Sequence, residues 1–314
     1  KNSRSDSRMK VFVTGVAGQL GHDVMNELKK RGYEGIGSDL APEYAGVQDG
    51  SAVTTMPYVP LDITDKEAVE KVLTECRPDV VIHCAAWTAV DLAEDEDKMG
   101  KVRAINAGGT ENIAKVCKEI NAKLMYISTD YVFNGEGERP WQPDDTVTIP
   151  LNEYGYSKYL GEQAVQKYVK DFYIVRIAWV FGINGKNFVK TMLNVGKNHD
   201  TVRVVNDQIG TPTYTFDLAR LLVDMIETDK YGIYHGTNEG GYISWYDFTC
   251  EIYRQAGYTT NVVPVTTEEY GLSKAKRPKN SRLDKSKLVD NGFKPLPDWK
   301  DALARYIEIL NKEN

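Results

Sequence analysis

Tyr154 and Lys158, in the string Tyr154-Gly155-Tyr156-Ser157-Lys158, are the two residues of this 314-residue chain best spaced to move a proton. Positions i and i+4 share one face of a helix, so the ammonium can lie beside the phenol and favour its ionised form. A free tyrosine titrates near pKa ~10 and is a poor acid-base group at neutral pH. A neighbouring cation and hydroxyl donors would draw it toward the working range. Thr129, in Ser128-Thr129-Asp130, ends an apolar run that reads as a strand, so its hydroxyl can point at the same place. The convergence fits a carbonyl group: Thr129 hydrogen-bonds the oxygen, and Tyr154 protonates it as it becomes an alkoxide.

A carbonyl reduced in this way needs a hydride donor, and the start of the chain offers a place for one. Gly15, Gly18 and Gly21 in Thr14-Gly15-Val16-Ala17-Gly18-Gln19-Leu20-Gly21 follow a strand and open a helix, with Gln19 and Leu20 at the helix start. Glycines there permit a tight turn and let a pyrophosphate approach the helix amino terminus. Asp39, at the end of the second strand, stands where an acid meets the adenosine ribose. A carboxylate accepts from a free 2′-hydroxyl and repels a 2′-phosphate, so Asp39 leans to NADH over NADPH. Asp62 and Ile63 are expected to bracket the adenine, and Ala85, Ala86 and Thr88 to flank the cofactor's path. Lys158 would hold the ribose hydroxyls and keep Tyr154 acidic, and Asn106 would position a water or backbone group for proton relay.

These residues need a frame of strands ending at one edge. Short apolar runs alternate with helical periodicity from Lys10 to Ala178, the pattern of a parallel sheet covered on both faces. Strands are expected at Lys10–Thr14, Glu34–Ser38, Tyr58–Leu61, Val80–His83, Leu124–Ser128 and Tyr173–Ile177. The clearest helices between them are Gln19–Lys30, Lys66–Cys76, Met99–Ile120 and Tyr154–Val169. After Trp179 the rhythm changes to helices at Phe188–Lys197, Thr215–Glu227, Trp245–Ala256 and Trp299–Leu310, with brief strands at Val202–Val205 and Gly232–His235. The expected fold class is α/β: a Rossmann-type doubly wound sheet over residues 9–178, with a smaller, mainly C-terminal α+β substrate-binding lobe over residues 179–314. Some segments of that lobe return to the Rossmann domain, and the lobe closes a cleft at the carboxyl ends of the strands. Residues 1–8 read as a tag remnant or loose arm.

Composition narrows the functions. The net charge of −6 and the lack of any Lys/Arg run interleaved with aromatics argue against a nucleic-acid partner. No apolar stretch approaches the ~20 residues that cross a bilayer, so a membrane partner is not expected and a cytoplasmic location is. Cys76, Cys84, Cys117 and Cys250 have neither paired nor metal-ligand spacing and read as structural thiols, three of them in core segments. The four histidines are scattered, which supports neither a zinc site nor a Ser-His-Asp hydrolase.

Several strings along the chain carry a more specific signal: Gly18-Gln19-Leu20-Gly21, Ala85-Ala86-Trp87-Thr88-Ala89-Val90-Asp91, Ser128-Thr129-Asp130-Tyr131-Val132-Phe133, Pro150-Leu151-Asn152-Glu153-Tyr154-Gly155, Trp179-Val180-Phe181-Gly182, Val205-Asn206-Asp207-Gln208 and Arg277-Pro278-Lys279-Asn280-Ser281. Through them the chain, from Met9 to its last helix, resembles the dTDP-4-dehydrorhamnose reductase family of extended short-chain dehydrogenases/reductases. The resemblance implies reduction of the C4 carbonyl of dTDP-4-dehydro-L-rhamnose by NADH or NADPH, with Thr129, Tyr154 and Lys158 catalytic. It implies a deoxysugar site near Thr88, Val90, Asp130, Tyr131 and Trp179, whose indole suits the apolar face of the sugar. It also implies a diphosphate site near Asn187, Lys190, Arg203 and Arg277. Trp87 stands where the family carries His or Tyr. Some members are metal-bridged dimers, but Asp23 is the only acid placed near that feature, so no metal is assigned and the chain is expected to be a monomer or homodimer. Two alternatives stay open: a non-catalytic cofactor-binding regulator like the regulatory subunit of methionine adenosyltransferase, and another nucleotide-sugar reductase or epimerase. A dehydratase would want a glutamate beside Thr129-Asp130, where Tyr131 stands.

Overall fold

The computed structural model describes residues 9–313; the expected arm at 1–8 lies outside the described residues. Seven strands form the central sheet: β1 (Lys10–Thr14), β2 (Glu34–Asp39), β3 (Tyr58–Pro60), β4 (Val80–His83), β5 (Lys123–Thr129), β6 (Phe172–Ile177) and β7 (Gly232–His235). They are parallel and ordered β7-β6-β5-β4-β1-β2-β3. The chain leaves β1 toward β2 and β3, then returns to place β4 on its other side. The loops after β1 and β4 therefore diverge and open a crevice at the carboxyl edge, the switch point of a doubly wound sheet.

The major helices are α1 (Gln19–Lys30), α2 (Lys66–Cys76), α3 (Glu96–Arg103), α4 (Thr110–Ile120), α5 (Glu153–Tyr168), α6 (Phe188–Asn198), α7 (Thr215–Ile226), α8 (Trp245–Ala256) and α9 (Trp299–Lys312). Alternating strand residues feed two cores. Val11, Val13, Val80, Ile82 and Val175 pack with Val24, Leu28, Leu218 and Leu222 of α1 and α7 on one face. Phe12, Val81, Leu124 and Ile174 pack with Val69, Leu73, Ile113 and Val165 of α2, α4 and α5 on the other. A third apolar cluster joins Phe181, Val189, Val202, Phe248, Trp299 and Tyr306 beside the sheet's carboxyl edge.

Helix starts follow local chemistry. Asp65 Oδ1 accepts from the Ala68 N–H ahead of α2, and Asn152 Oδ1 accepts from the Gly155 N–H ahead of α5. Gly18 before α1 offers no side-chain cap, so the first N–H groups of that helix are left for another acceptor.

Two expectations need correction. The helix expected at Met99–Ile120 starts at Glu96 and is interrupted by a π-helical turn at Ala104–Gly109 that joins α3 to α4. Gly232–His235, grouped with the later lobe, is the edge strand of the main sheet, because its Ile233 and Tyr234 pair with Ile174 and Val175 of β6. Of the four free cysteines only Cys117 is a fully buried residue; Cys76, Cys84 and Cys250 are half-buried, with Cys84 and Cys76 packed against the two cores of the sheet.

Candidate active site

A cavity of about 870 Å³ lies at the switch-point crevice between the sheet edge and the third apolar cluster. Its wall includes Gly15, Gly18, Gln19, Leu20, Gly21, Asp39, Asp62, Ile63, Ala85, Ala86, Thr88, Val90, Thr129, Asp130, Tyr131, Tyr154, Lys158, Trp179 and Arg277. The structure thus brings together residues expected to serve cofactor, catalysis and sugar from eight separate chain segments.

The side that carries the glycine turn is built from backbone. Gly15 has φ +73°, and a Cβ there would lie 2.7 Å from the Ala85 nitrogen, so only glycine lets the turn after β1 pass that closely over the turn after β4. Asp39 Oδ2 accepts from the Ala17 N–H (2.9 Å) and its Oδ1 from the Leu40 N–H (2.8 Å), anchoring the glycine turn to β2. Asn184 reaches the same turn from across the chain: its Nδ2 donates to the carbonyls of Ala17 and Gly18, and its Oδ1 accepts from the Val47 N–H. Beneath the turn, Thr14 Oγ1 accepts from the N–H groups of Cys84 and Ala85 and gives its own proton to His83 Nδ1 (2.7 Å). Thr110 Oγ1 donates to the Asn106 carbonyl, so it accepts from His83 Nε2–H (2.9 Å). This pattern needs a neutral imidazole, and burial holds His83 at a pKa of about 3.

Thr129, Tyr154 and Lys158 face the cavity together, but not in the expected partnership. Lys158, 4% exposed, donates from Nζ to the Ile127 carbonyl (2.7 Å) and sits 4.4 Å from the centre of the Tyr126 ring. Burial pulls its pKa down to about 8, against the opposing pull of the Glu162 carboxylate one turn along α5. Burial pushes the Tyr154 phenol well above its ordinary value, and Tyr131 and Asp130 reinforce the rise. A hydrogen bond with Thr129 tempers it. Against the expected acidification of Tyr154 by Lys158, burial dominates the phenol, and the ammonium is satisfied by the Ile127 carbonyl.

Around the phenol, Tyr131 meets Tyr154 edge to face with ring centres 5.6 Å apart. Arg277 bridges Tyr131 OH (3.2 Å) and Asp91 Oδ2 (3.0 Å). Asp130, 2% exposed, is pushed up to about 7 by burial, partly offset by hydrogen bonds from Ser281 and Thr129.

Four expected site residues lie off the cavity wall. Asn106, 1% exposed, acts through neighbours: Oδ1 accepts from the Trp87 N–H, and Nδ2 donates to the Trp87 carbonyl and Ser157 Oγ. Asn187 caps α6 and donates to Gln19 Oε1, the Gly182 carbonyl and Tyr306 OH. Lys190 Nζ donates to the carbonyls of Ile183 and Gly185, and Arg203 donates to the Glu269 carbonyl. Backbone carbonyls take these donors in place of a ligand in the cavity. Arg277 is the one expected diphosphate cation on the wall. Wall residues not singled out beforehand include Cys84, Ser128, Asn184, Lys186, Phe188, Trp245 and Phe248. Asn184-Gly185-Lys186 carried a legible turn signal; the aromatics looked like ordinary core. Cys84 is no nucleophile, since burial lifts its thiol to about 12.

Residues 9–312 match the family model described as the RmlD substrate binding domain. The chain belongs to this family. Among its relatives in the family, the dTDP-4-dehydrorhamnose reductase of Streptomyces griseus is 40% identical over 309 residues, covering 96% of this chain and 94% of that protein. The solved dTDP-4-dehydrorhamnose reductase of Clostridium acetobutylicum, 42% identical, superposes with a TM-score of 0.86 over 96% of this chain and 100% of its own. That of Bacillus anthracis, solved in complex with NADP, is 39% identical with a TM-score of 0.85 over 96% and 99%. A nicotinamide dinucleotide fits the RmlD-family cavity seen here: the glycine turn leaves room for a pyrophosphate against backbone, and the uncapped start of α1 supplies donors.

Proposed function

We propose that this chain reduces the C4 carbonyl of dTDP-4-dehydro-L-rhamnose to give dTDP-L-rhamnose with NADPH or NADH. The observation that carries the reading is the meeting of Thr129, Tyr154 and Lys158 with the glycine turn in one cavity. The dinucleotide, held by the turn of Gly15 and Gly18 and by Lys158, supplies the hydride when bound. Tyr154 holds its proton at neutral pH, as an ordinary phenol does, and burial reinforces this state, which is the one a reduction requires. An alkoxide is far more basic than a phenoxide, so the proton moves downhill to it even from a weakened phenol. Thr129 donates a hydrogen bond to the same oxygen as charge builds there. Arg277 meets the diphosphate and Trp179 the sugar's apolar face.

Asp39 favours NADH by the charge argument, and no cation follows it in Leu40-Ala41-Pro42-Glu43 to hold a 2′-phosphate. Replacing Asp39 by Ala should raise use of NADPH relative to NADH; an unchanged ratio would show that Asp39 does not read the ribose. Four unpaired thiols agree with a reducing, cytoplasmic setting, and no described helix is long and apolar enough to cross a membrane. The reading is tested by following the loss of reduced-nicotinamide absorbance with dTDP-4-dehydro-L-rhamnose and identifying the product. Cofactor binding without turnover would instead support the regulator.

A further inference from the structure

Trp179 is held in a conformation that bulky side chains avoid. Its φ is +52°, and of the other two described non-glycine residues with positive φ, Arg77 and Asn121, both are helix C-caps. A left-handed tryptophan on a cavity wall costs free energy and persists only where its surroundings over-determine it. Those surroundings are visible. The Trp179 carbonyl accepts from the Thr213 N–H (2.9 Å), which fixes the backbone. The indole runs along Gly210, where a Cβ would sit 3.0 Å from Trp179 Cε2. Trp245 lies nearly parallel to it, with ring centres 3.7 Å apart and planes 18° from parallel.

One short ribbon sets two of these contacts. Ile209–Gly210 pairs antiparallel with Ile243–Ser244, so the strand that carries Gly210 also registers the residue before Trp245. Ser244 and Asp247 form a reciprocal capping box that fixes the first turn of α8, where Trp245 stands. Phe188 of α6 then backs Trp245 at 4.6 Å. Trp179, Trp245 and Phe188 all border the cavity. The arrangement stiffens one indole with another rather than leaving Trp179 to rotate into its own space.

We infer that Trp245 is a positioning residue for the sugar subsite: by stacking on Trp179 it keeps that strained indole presented to the apolar face of the deoxysugar. The inference rests on the proposed reading that a deoxysugar nucleotide is the substrate. A role confined to packing would make Trp245 matter for folding alone. A positioning role makes it matter for sugar-nucleotide KM with cofactor affinity untouched.

The test uses the full chain with NADPH and dTDP-4-dehydro-L-rhamnose. Trp245→Leu should raise sugar-nucleotide KM about fivefold to tenfold, the scale of one aromatic pair, with kcat within about twofold. The dissociation constant for NADPH should not change, and Trp245→Phe should recover most of the loss. Gly210→Ala, which crowds Trp179 from another side, should raise KM in the same direction. In circular dichroism the stacked indoles should give an exciton couplet in the wild type that vanishes in both Trp245→Leu and Trp179→Phe. A wild-type KM in Trp245→Leu and Gly210→Ala, beside a raised KM in Trp179→Phe, overturns the inference, as does a couplet that survives loss of Trp245. If Trp179→Phe itself leaves KM unchanged, the sugar contact of Trp179 fails and the inference falls with it.

Discussion

The cavity's two walls are made of different material. On the glycine-turn side, Gly15, Gly18, Ala85 and Ala86 present main chain, and the polar side chains of Thr14, Asp39 and Asn184 are turned onto backbone groups. On the opposite side, Tyr131, Trp179, Phe188, Trp245 and Arg277 present rings and a guanidinium. The first wall is shaped by what is missing, so it fits a group common to many reactions. The second is shaped by large side chains held against one another, so it can discriminate among substrates. Tyr154 stands between them, in ring contact with Tyr131.

Mutations can separate the walls. The largest loss is expected at their junction: Tyr154→Phe should lower kcat by about 10²–10⁴-fold with little change in cofactor affinity, measured by steady-state kinetics and titration. Asp130 should appear next, in stability. Its folded pKa of about 7 lies above the ordinary 3.8, so the folded chain binds this proton more tightly than the unfolded chain. The contribution is fully present below about pH 4 and is lost as pH rises through about 7. Asp130→Asn should remove that loss, flattening denaturant-measured stability between pH 4 and pH 8 by up to about 4 kcal/mol. Equal slopes in the two proteins would refute the assignment. On the glycine-turn wall, Gly15→Ala forces a side chain against Ala85 and should weaken dinucleotide binding about tenfold to a hundredfold, read by fluorescence titration. On the aromatic wall, Arg277→Ala should raise sugar-nucleotide KM roughly tenfold. The smallest effects are expected at Lys190→Ala and Arg203→Ala, with KM within about twofold of the wild type, because neither side chain lines the cavity. A tenfold rise there would move the diphosphate away from Arg277.

What could be read from the chain beforehand follows the same division. The glycine-turn wall is encoded locally: strand, glycine turn, helix, then an acid at the end of the next strand, each displayed by short spacings. Thr129 and Tyr154 were legible for the same reason, since a strand end and a helix start fix where short side chains point. Long side chains were not. Spacing placed Lys158 on the same face of α5 as Tyr154, where both border the cavity, but could not tell that its ammonium would take the Ile127 carbonyl, nor that burial would dominate the phenol. Asn187 and Lys190 have the chemistry of diphosphate ligands, yet they close a loop whose carbonyls need donors. Asn184 braces a turn 166 and 167 residues away, a distance over which no local pattern carries information.

The π-helical turn at Ala104–Gly109 has a consequence for how this chain can vary in length. Such a turn holds one more residue than the α-helix on either side, and each helical residue turns the chain by about 100°. Deleting one residue there would regularise the helix and rotate everything on one side of the excision against the other. Either Asn106 would swing away from Trp87 and Ser157, or Thr110 would leave His83. Homologues that tolerate insertions in their surface loops should therefore keep the residue count constant from the end of α3 to the start of α4.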